Sequence, residues 1–213
     1  ERIDEMLRKA DWFGSKFGSK SPYCDEIKEK GIDKIADTEQ RAVAVLKLLF
    51  SHLKWNETFE MSPQSMTKTA KAGTGSNADI NLIMVNMLRD AGIEAVPVVM
   101  RLRNTGTLPV TYPSMDKLNT FVVGIPMGEG KMMYADASSE KGFFNAFTPY
   151  LYVNKARILS KGEGEKWVDL QLIGKDTESN VVTAAIDANG ELKGKVKAVH
   201  RGTGAYMFRS HYA

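Results

Sequence analysis

Cysteine is almost missing from this chain of 213 residues, in which Cys24 is the one thiol. A single cysteine excludes an internal disulfide, yet it leaves the redox compartment open because exported proteins do not require disulfides. Cys24 precedes Asp25 and Glu26, two carboxylates that would raise the pKa of the thiol. We therefore expect a weak nucleophile at this position.

Histidine is also scarce, and the spacing of the three histidines matches no common metal motif. His52, His200 and His211 have no metal-ligand spacing among themselves or with Cys24, so we expect no metal site. The glycine turn Gly73-Thr74-Gly75 lacks the Gly-Lys-Ser/Thr ending of a phosphate-binding loop. The sequence therefore predicts no nucleotide and no other cofactor.

The chain lacks a long apolar run and a strong excess of either charge. Hydrophobic residues make up 43% and charged residues 26% of the chain, which is typical of a globular protein. No apolar run is long enough for a membrane span, and the net charge is only +3, so we expect neither membrane insertion nor nucleic-acid binding. The densest basic stretch alternates along a predicted strand, as a solvated face does. It comprises Lys193, Lys195, Lys197 and Arg201.

The length fits one domain of ordinary size with an extension, or two small domains. The chain begins at Glu1 without an initiator methionine, and no targeting signal can be read from it. We therefore expect it to be one part of a larger polypeptide.

The most informative segment is a helix that lies between the glycines Gly73 and Gly92. Ser76 and Asp79, three positions apart, have the pattern of a capping box, and Gly92 is a typical helix stop. Apolar residues recur between them at helical spacing, which predicts a buried central helix. The apolar stripe comprises Ile80, Ile83, Met84, Met87 and Leu88, and Leu82 and Val85 widen it.

The segments before this helix are predicted to be helical or loop. Residues 1–36 indicate short helices and turns that pack onto a core. Asp37, with Gln40 three positions later, predicts the cap of a longer helix that ends near Trp55. The polar tract 56–71 is typical of a loop with at most one helical turn.

The segments after the central helix predict strands. Residues 96–102 alternate as a strand does, although Pro97 favours an edge position or a bulge. Strands are also predicted at 120–124 and 131–136, then at 151–159, 166–173, 180–186, 191–199 and 205–209. A hairpin turn is predicted at Asp187-Ala188-Asn189-Gly190.

The run from Gly75 to Val98 resembles the core of the transglutaminase-like superfamily, which has a papain-like fold. That motif places a cysteine two residues after the glycine, where this chain has Asn77. A later strand of the family reads Asn-His, which puts Thr120 at the histidine position, and Asp136 falls at the position of the triad aspartate.

The resemblance implies an α+β fold in which a central helix packs on an antiparallel sheet. It divides the chain into a helical lead-in at 1–36, a transglutaminase-like core at 37–158 and a β-rich segment at 159–213 that is expected to be truncated. It is closest to bacterial envelope proteins with a β-rich extension, which implies a periplasmic or secreted location.

The replaced residues indicate that the chain is not an enzyme. Acyl transfer through a covalent intermediate needs a nucleophile and an adjacent base. The Asn77 carboxamide is not a nucleophile, and the Thr120 hydroxyl cannot accept a proton near neutral pH as an imidazole does. We therefore expect a pseudoenzyme that binds a peptide or a glycan, or that serves as a structural module.

Two other functions stay open at the level of sequence. The chain could be a hydrolase or acyltransferase with a relocated nucleophile, Ser76, assisted by Asp79, Asp136 or His52. It could instead be an interaction scaffold whose partner pairs with the C-terminal β segment. Each site position also has an ordinary structural interpretation, such as a helix cap for Asn77 and a strand residue for Thr120.

The candidate ligand-binding residues lie at the helix start and around the loop 104–117, whose length is typical of a loop that covers a groove. They are Ser76, Asp79, Arg101, Arg103 and Tyr112. For the two arginines, surface solubility or a salt bridge is the more ordinary interpretation, and a ligand role is the alternative.

Overall fold

A computed structural model describes residues 2–109, 114–140, 144–160, 167–173 and 176–212. The α-helices are α1 (Arg2–Lys9), α2 (Cys24–Glu29), α3 (Thr38–His52), α4 (Met66–Ala72), α5 (Asn77–Asp90) and α6 (Thr203–Tyr212). The strands are β1 (Lys54–Trp55), β2 (Thr74–Gly75), β3 (Val96–Met100), β4 (Thr120–Pro126), β5 (Met132–Ala135), β6 (Ala156–Ile158), β7 (Trp167–Val168), β8 (Thr177–Ile186) and β9 (Leu192–Arg201). Short 3₁₀ helices occur at Gly14–Lys16, Ile32–Lys34, Arg103–Thr105, Met115–Lys117, Pro149–Leu151 and Leu170–Leu172.

The centre of the fold is an antiparallel sheet with strands in the order β5-β4-β3-β6-β7. Helix α5 packs against β4, and its residues from Asn77 to Leu88 are all buried. The α+β class and the central helix on an antiparallel sheet, both predicted from the sequence, are therefore confirmed.

Apolar side chains cover the two faces of this sheet in separate clusters. On one face, Val123 and Ile125 pack with the apolar residues of α3 and α5. On the other face, Val98 and Val122 pack against the segment around Phe147 and the 3₁₀ helix Leu170–Leu172. Because both faces are covered, β4 is buried along almost its whole length.

The first 36 residues form short helices, as the sequence predicts, and they contribute to the core. Leu7 and Phe13 are fully buried, and the Phe13 ring meets the Phe121 ring of β4 edge to face with centroids 5.2 Å apart. Arg157 of β6 forms a salt bridge with Asp4 of α1 at 2.6 Å, and its guanidinium lies over the Trp167 ring. These contacts fix the N-terminal helix to the sheet.

The predicted edge position of Pro97 is wrong, because β3 is the middle strand of the sheet. Pro97 pairs with Val123 of β4, while the pairing of β3 with β6 begins one residue later, at Val98. The Pro97 carbonyl still accepts a bond from Leu159 N at 3.0 Å, just past the end of β6. The missing N–H therefore falls where the β6 ladder has ended, so an interior strand tolerates the proline.

The C-terminal region contains the predicted hairpin. Strands β8 and β9 pair over their full length, from Thr177 with Arg201 to Ile186 with Leu192. The turn closes with Asp187 N bonded to Glu191 O at 3.1 Å and Gly190 N bonded to Asp187 O at 3.0 Å. By contrast, only the short strands β6 and β7 form within the segments 151–159 and 166–173, and a 3₁₀ helix follows β7 at Leu170–Leu172. Residue 166 lies outside the described residues.

The strand predicted at 205–209 is wrong, because these residues lie in helix α6. Aromatic residues favour strands, but here they contact each other at helical spacing. Phe208 and Tyr212 lie one turn apart with ring centroids 4.8 Å apart, and Phe208 stacks on His200 of β9 at 5.1 Å. Packing on the hairpin therefore overrides the local strand preference.

The two predicted domain boundaries, after residues 36 and 158, remain predictions, although strand β7 of the central sheet lies past residue 158. In the part of the chain that the structure describes, no helix has the length and apolar character needed to span a bilayer.

Candidate functional site

The start of α5 is held by the capping box that the sequence predicts. Ser76 Oγ accepts a hydrogen bond from Asp79 N at 3.2 Å, and Asp79 Oδ2 accepts one from Ser76 N at 3.0 Å. Gly75 is required by close approach, since a Cβ there would lie 2.9 Å from both Asp79 Cβ and Thr69 Cγ2. The chain therefore enters the helix through a tight turn with both capping groups buried.

The structure brings Asn77 and Thr120 together. Asn77 lies at the first position of α5, Thr120 begins β4, and both are fully buried. Asn77 Nδ2 donates to Thr120 Oγ1 at 2.5 Å and lies 3.4 Å from the Phe121 carbonyl oxygen, which also accepts. The position that would carry a nucleophile is thus bonded to the position that would carry its base.

The loop between β1 and α4 covers this helix start. Asn77 N donates to Thr58 O at 3.1 Å, and Asn77 Oδ1 accepts from Glu60 N at 2.8 Å. Gln64 N donates to Asp79 Oδ1 at 2.6 Å. A backbone N–H at a helix start can serve as an oxyanion donor, but here the N–H of Asn77 is already bonded within the chain.

Asp136 belongs to the same buried network through a residue that sequence reasoning missed, Asn81. Asn81 Nδ2 donates to Asp136 Oδ1 at 2.7 Å and to Phe121 O at 2.8 Å, while its Oδ1 accepts from Ala137 N at 2.9 Å. Asn81 lies one helical turn after Asn77 and is fully buried. The available signal was an asparagine within an apolar helix, on the same side as Asn77.

The environment of Asp136 is apolar but rich in hydrogen-bond donors. Ser138 donates to Asp136 Oδ2 from its backbone N at 2.8 Å and also from its hydroxyl. Burial raises the pKa of Asp136 above its ordinary value, and the donors from Ser138 and Asn81 partly oppose that shift. The Asp136 carboxyl group is therefore the acceptor at one end of the hydrogen-bonded network that runs through Asn81.

The alternative nucleophiles are buried, and each has a carboxyl group beside it, Asp79 at Ser76 and Asp90 at Cys24. Ser76 is only 2% exposed, and its Oγ serves as the helix cap. His52 Nε2 bonds to Glu26 Oε2 at 2.8 Å, and its ring stacks on Tyr23. Cys24 is buried at the start of α2, where burial and then Asp90 raise the pKa of its thiol.

Arg101 and Arg103 line a groove elsewhere on the surface, at the end of β3. Its cavity has a volume of about 180 Å³, between the turn after β3 and residues 152–155. The other polar residues of its described lining are Thr107, Tyr152, Asn154, Lys155 and Gln171. A neighbouring cavity of about 270 Å³ shares Arg103, Tyr152 and Gln171 and extends to Asp176 and Thr203. The remaining predicted binding residue, Tyr112, lies outside the described residues.

Arg101 is held in this groove by the turn that follows it. The Arg101 guanidinium makes two hydrogen bonds to Thr105. Its Nη2 donates to the Thr105 carbonyl oxygen, and its Nε donates to Thr105 Oγ1 at 3.4 Å. Thr105 Oγ1 in turn accepts from Asn119 Nδ2 at 2.8 Å, and Asn119 Oδ1 accepts from Leu102 N at 2.8 Å. Asn119 therefore fixes the β3 end, while its neighbour Thr120 faces Asn77.

Gly106 provides the space that the Arg101 side chain occupies. Its backbone has φ 116° and ψ −173°, a conformation open essentially to glycine alone. A Cβ at this position would also lie 3.2 Å from Arg101 Nη2. A side chain at residue 106 would displace the guanidinium.

A larger surface cavity of about 450 Å³ lies beside α4 and is a weaker candidate. Of its two lysines, Lys16 donates its ammonium group to Pro63 O. The backbone N of Gln64 is bonded to Asp79. Lys68 is left as the one lining charge without a bond to another described residue.

Within the described ranges, no group of three or more histidine, cysteine, aspartate and glutamate side chains is arranged to hold a metal ion.

Comparison with protein-family models and with curated proteins gives no match. Among solved structures, this chain is similar to a crystal structure from Parabacteroides distasonis described as that of a “putative protease”, with 15% identity and a TM-score of 0.42. The similarity covers 79% of this chain and 29% of that one, so this chain spans less than a third of that protein's length. A likeness this weak assigns neither fold nor activity.

Proposed function

We propose that this chain is a catalytically inactive domain of the transglutaminase-like superfamily. In this proposal it binds a peptide or a glycan, or serves as a structural module, within a larger bacterial envelope protein. The observation that supports this most strongly is the state of Asn77, which is fully buried and has its carboxamide and backbone N–H bonded within the chain.

The arrangement of the three triad positions supports the family assignment. A helix start, the start of a neighbouring strand and the end of the next strand supply Asn77, Thr120 and Asp136, in the order that the family motif has. Asn77 and Asn81 both contact the Phe121 carbonyl, and Asn81 continues to Asp136. A single hydrogen-bonded network therefore joins all three positions.

The chemistry of these groups supports inactivity. A carboxamide and a threonine hydroxyl cannot form the nucleophile and base that acyl transfer needs. The relocated mechanism through Ser76 has less support, because Asp79 accepts bonds from Ser76 N and Gln64 N and is therefore occupied as a structural acceptor. Loss of two triad members leaves at most the residual catalysis of binding and oxyanion donors.

The test is a turnover assay on the whole chain. Purified wild type, Asn77→Ala and Ser76→Ala are compared for incorporation of a fluorescent amine into casein and for hydrolysis of glutamine-containing and ordinary peptides. The proposal expects all three proteins to match the protein-free blank. Turnover above the blank that Ser76→Ala removes would overturn inactivity in favour of a relocated nucleophile. Turnover that only Asn77→Ala removes would overturn inactivity in favour of chemistry at Asn77, the position that holds the nucleophile in the family.

The envelope location is part of this proposal and has its own test. Fractionation of the native host should recover the protein outside the cytoplasm, in the periplasm or the medium. Recovery from the cytoplasm alone would contradict it.

A further inference from the structure

The groove at the end of β3 concentrates positive charge. Arg101, Arg103 and Lys155 all line it. In the part of the chain that the structure describes, none of the three has a carboxylate oxygen within salt-bridge distance, whereas Arg157 of β6 pairs with Asp4 of α1 at 2.6 Å. The described lining of the adjoining cavity includes one acidic residue, Asp176, which accepts a bond from Thr203 N at 2.5 Å.

One of these cations is oriented before any ligand binds. The bonds from Arg101 to Thr105 use part of the guanidinium, and Asn119 fixes Thr105 in turn. The remaining N–H groups of Arg101 make no bond with the described residues. A fixed guanidinium loses less side-chain entropy on binding than a free one, and its planar fork matches a carboxylate.

We propose that the groove lined by Arg101, Arg103 and Lys155 binds an acidic peptide through its carboxylate groups. This inference rests on the proposed function, since it names the ligand of a binding domain. Arg101 is the fixed anchor, and Arg103 and Lys155, which have no carboxylate partner among the described residues, reach further carboxylates along the groove. The adjoining cavity, which shares Arg103, extends the path for a chain longer than one residue.

The lining favours a peptide over a glycan. Sugar rings in carbohydrate sites commonly stack on exposed aromatic faces. Tyr152 is the aromatic side chain in the described lining, and its hydroxyl accepts from Phe147 N at 3.0 Å and donates to Asn145 O at 3.4 Å. Its ring packs against Phe147 with centroids 5.7 Å apart, so it is a structural part of the wall rather than a stacking platform.

The experiment measures binding of a fluorescein-labelled tetraglutamate peptide to the whole chain by fluorescence anisotropy. A tetraglutamine peptide controls for the carboxylates. The proposal expects saturable binding of the acidic peptide only, weakening as salt is added. Each of Arg101→Gln, Arg103→Gln and Lys155→Gln should raise Kd by about tenfold, with an unchanged unfolding midpoint.

Two matched controls separate the groove from general attraction to a basic protein. Arg201→Gln removes a charge from the basic face of the β8–β9 hairpin, and Lys47→Gln removes one from α3. Both should bind as wild type does. Equal losses in Arg201→Gln and Arg103→Gln would overturn the groove assignment, because they would show attraction to net charge alone.

Thr105 tests whether the orientation of Arg101 contributes. Thr105→Val removes the hydroxyl while keeping the shape and the charge of the groove, so Kd should rise several-fold. Thr105→Ser should restore wild-type binding. Wild-type affinity in Thr105→Val would overturn the part assigned to the Thr105 hydroxyl in orienting Arg101, since the bond from Arg101 to the Thr105 carbonyl remains in that variant.

The outcomes distinguish failure of the peptide-binding proposal from failure of the proposed function on which it rests. Binding of oligogalacturonate through the same three cations, without binding of tetraglutamate, would overturn the peptide assignment and leave a carbohydrate-binding domain. No binding of either probe would overturn the groove as a carboxylate site, while the inactivity measured in the turnover assay would still stand. Turnover above the blank would overturn inactivity whatever the groove binds.

Discussion

Asn77 and Thr120, which lie 43 positions apart in the chain, are joined by a hydrogen bond from the Asn77 carboxamide to the Thr120 hydroxyl at 2.5 Å. Both residues are fully buried. Under the proposed family assignment, these positions would hold a nucleophile and a base in an active enzyme. Here the same two positions tie a helix start to the sheet.

Replacing Asn77 should therefore affect stability rather than activity. Asn77→Ala leaves the Glu60 N–H without its acceptor and removes the donor to the buried Thr120 hydroxyl. We expect the free energy of unfolding to fall by about 1–3 kcal/mol, measured by urea denaturation. Asn104→Ala, on the exposed turn after β3, is the matched control and should change it by less than about 0.5 kcal/mol. Equal stabilities of the two variants would contradict a structural role for Asn77.

Replacing Asn81 should lower the free energy of unfolding more than replacing Asn77 does, because the Asn81 carboxamide bonds to three groups in the interior. Asn81→Leu keeps the approximate volume and removes the partners of Ala137 N and Asp136 Oδ1, so we expect a loss of about 2–4 kcal/mol in unfolding free energy. Asn81→Asp also places a second carboxyl group beside Asp136, and two carboxylates at one site cannot both ionise easily.

These two variants should consequently differ in their response to pH. Near neutral pH, Asn81→Asp should be less stable than Asn81→Leu in urea denaturation. In mildly acid solution the difference should shrink, since one proton can then be shared between the two carboxyl groups. A difference that grows on acidification would contradict the contact between residue 81 and Asp136.

The raised pKa of Asp136 predicts a pH dependence of stability with a definite sign. Because burial raises the pKa above the ordinary value of 3.8, the folded state keeps this proton to higher pH than the unfolded state. Stability from this group should be greatest below the unfolded pKa, fall as pH rises through the folded pKa, and then stay level.

Asp136→Asn provides the comparison for that prediction, because an amide does not titrate. The unfolding free energy of wild type minus that of Asp136→Asn should be largest in acid and decrease as pH rises. Chemical denaturation at several pH values measures this difference. An increase with pH would mean that the donors from Ser138 and Asn81 outweigh burial and lower the pKa instead.

The contact between α1 and the sheet should depend on Asp4. Arg157 bonds to both carboxylate oxygens of Asp4, and the two side chains are only 11% and 20% exposed. Asp4→Asn should lower the unfolding free energy by about 2 kcal/mol, because it leaves a largely buried guanidinium without its counter-charge. Glu5→Gln, one residue along the same helix, breaks an exposed pair with Lys9 and should cause no measurable change. A similar effect from both variants would contradict the assignment.

Local patterns in the sequence were sufficient to predict the central helix. The capping pair Ser76 and Asp79 and the apolar spacing that follows are both properties of neighbouring residues, and α5 has that cap and that buried face. Asp37 likewise caps α3 through Gln40 N at 2.7 Å. The hairpin turn before β9 follows from its Asn-Gly pair in the same way.

Features that depend on distant contacts could not be predicted. Pro97 signals an edge strand only when the neighbouring ladder extends past it, and here β6 ends one residue too early. Asn81 looks like a polar interruption of an apolar helix until Phe121 and Asp136, 40 and 55 positions away, are placed beside it.

Only some of the residues that line the groove could be identified from the sequence. Arg101 and Arg103 stand out beside a long loop, but Lys155 and Gln171 join them only because β6 pairs with β3 and brings the end of the chain's core back to that turn. The sequence also could not reveal that Asn119 orients Arg101. The two residues are connected indirectly, because both donate hydrogen bonds to Thr105.

Hydrogen exchange at Asn77 tests the central claim most directly, because inactivity is inferred from the sealing of that helix start. NMR should follow the carboxamide protons of Asn77 together with its backbone N–H group. The account predicts that these groups exchange only at the rate of global unfolding, as buried and bonded groups do. Exchange of the Asn77 carboxamide as fast as that of the exposed Asn104 would show an open cleft at the helix start and would contradict the account.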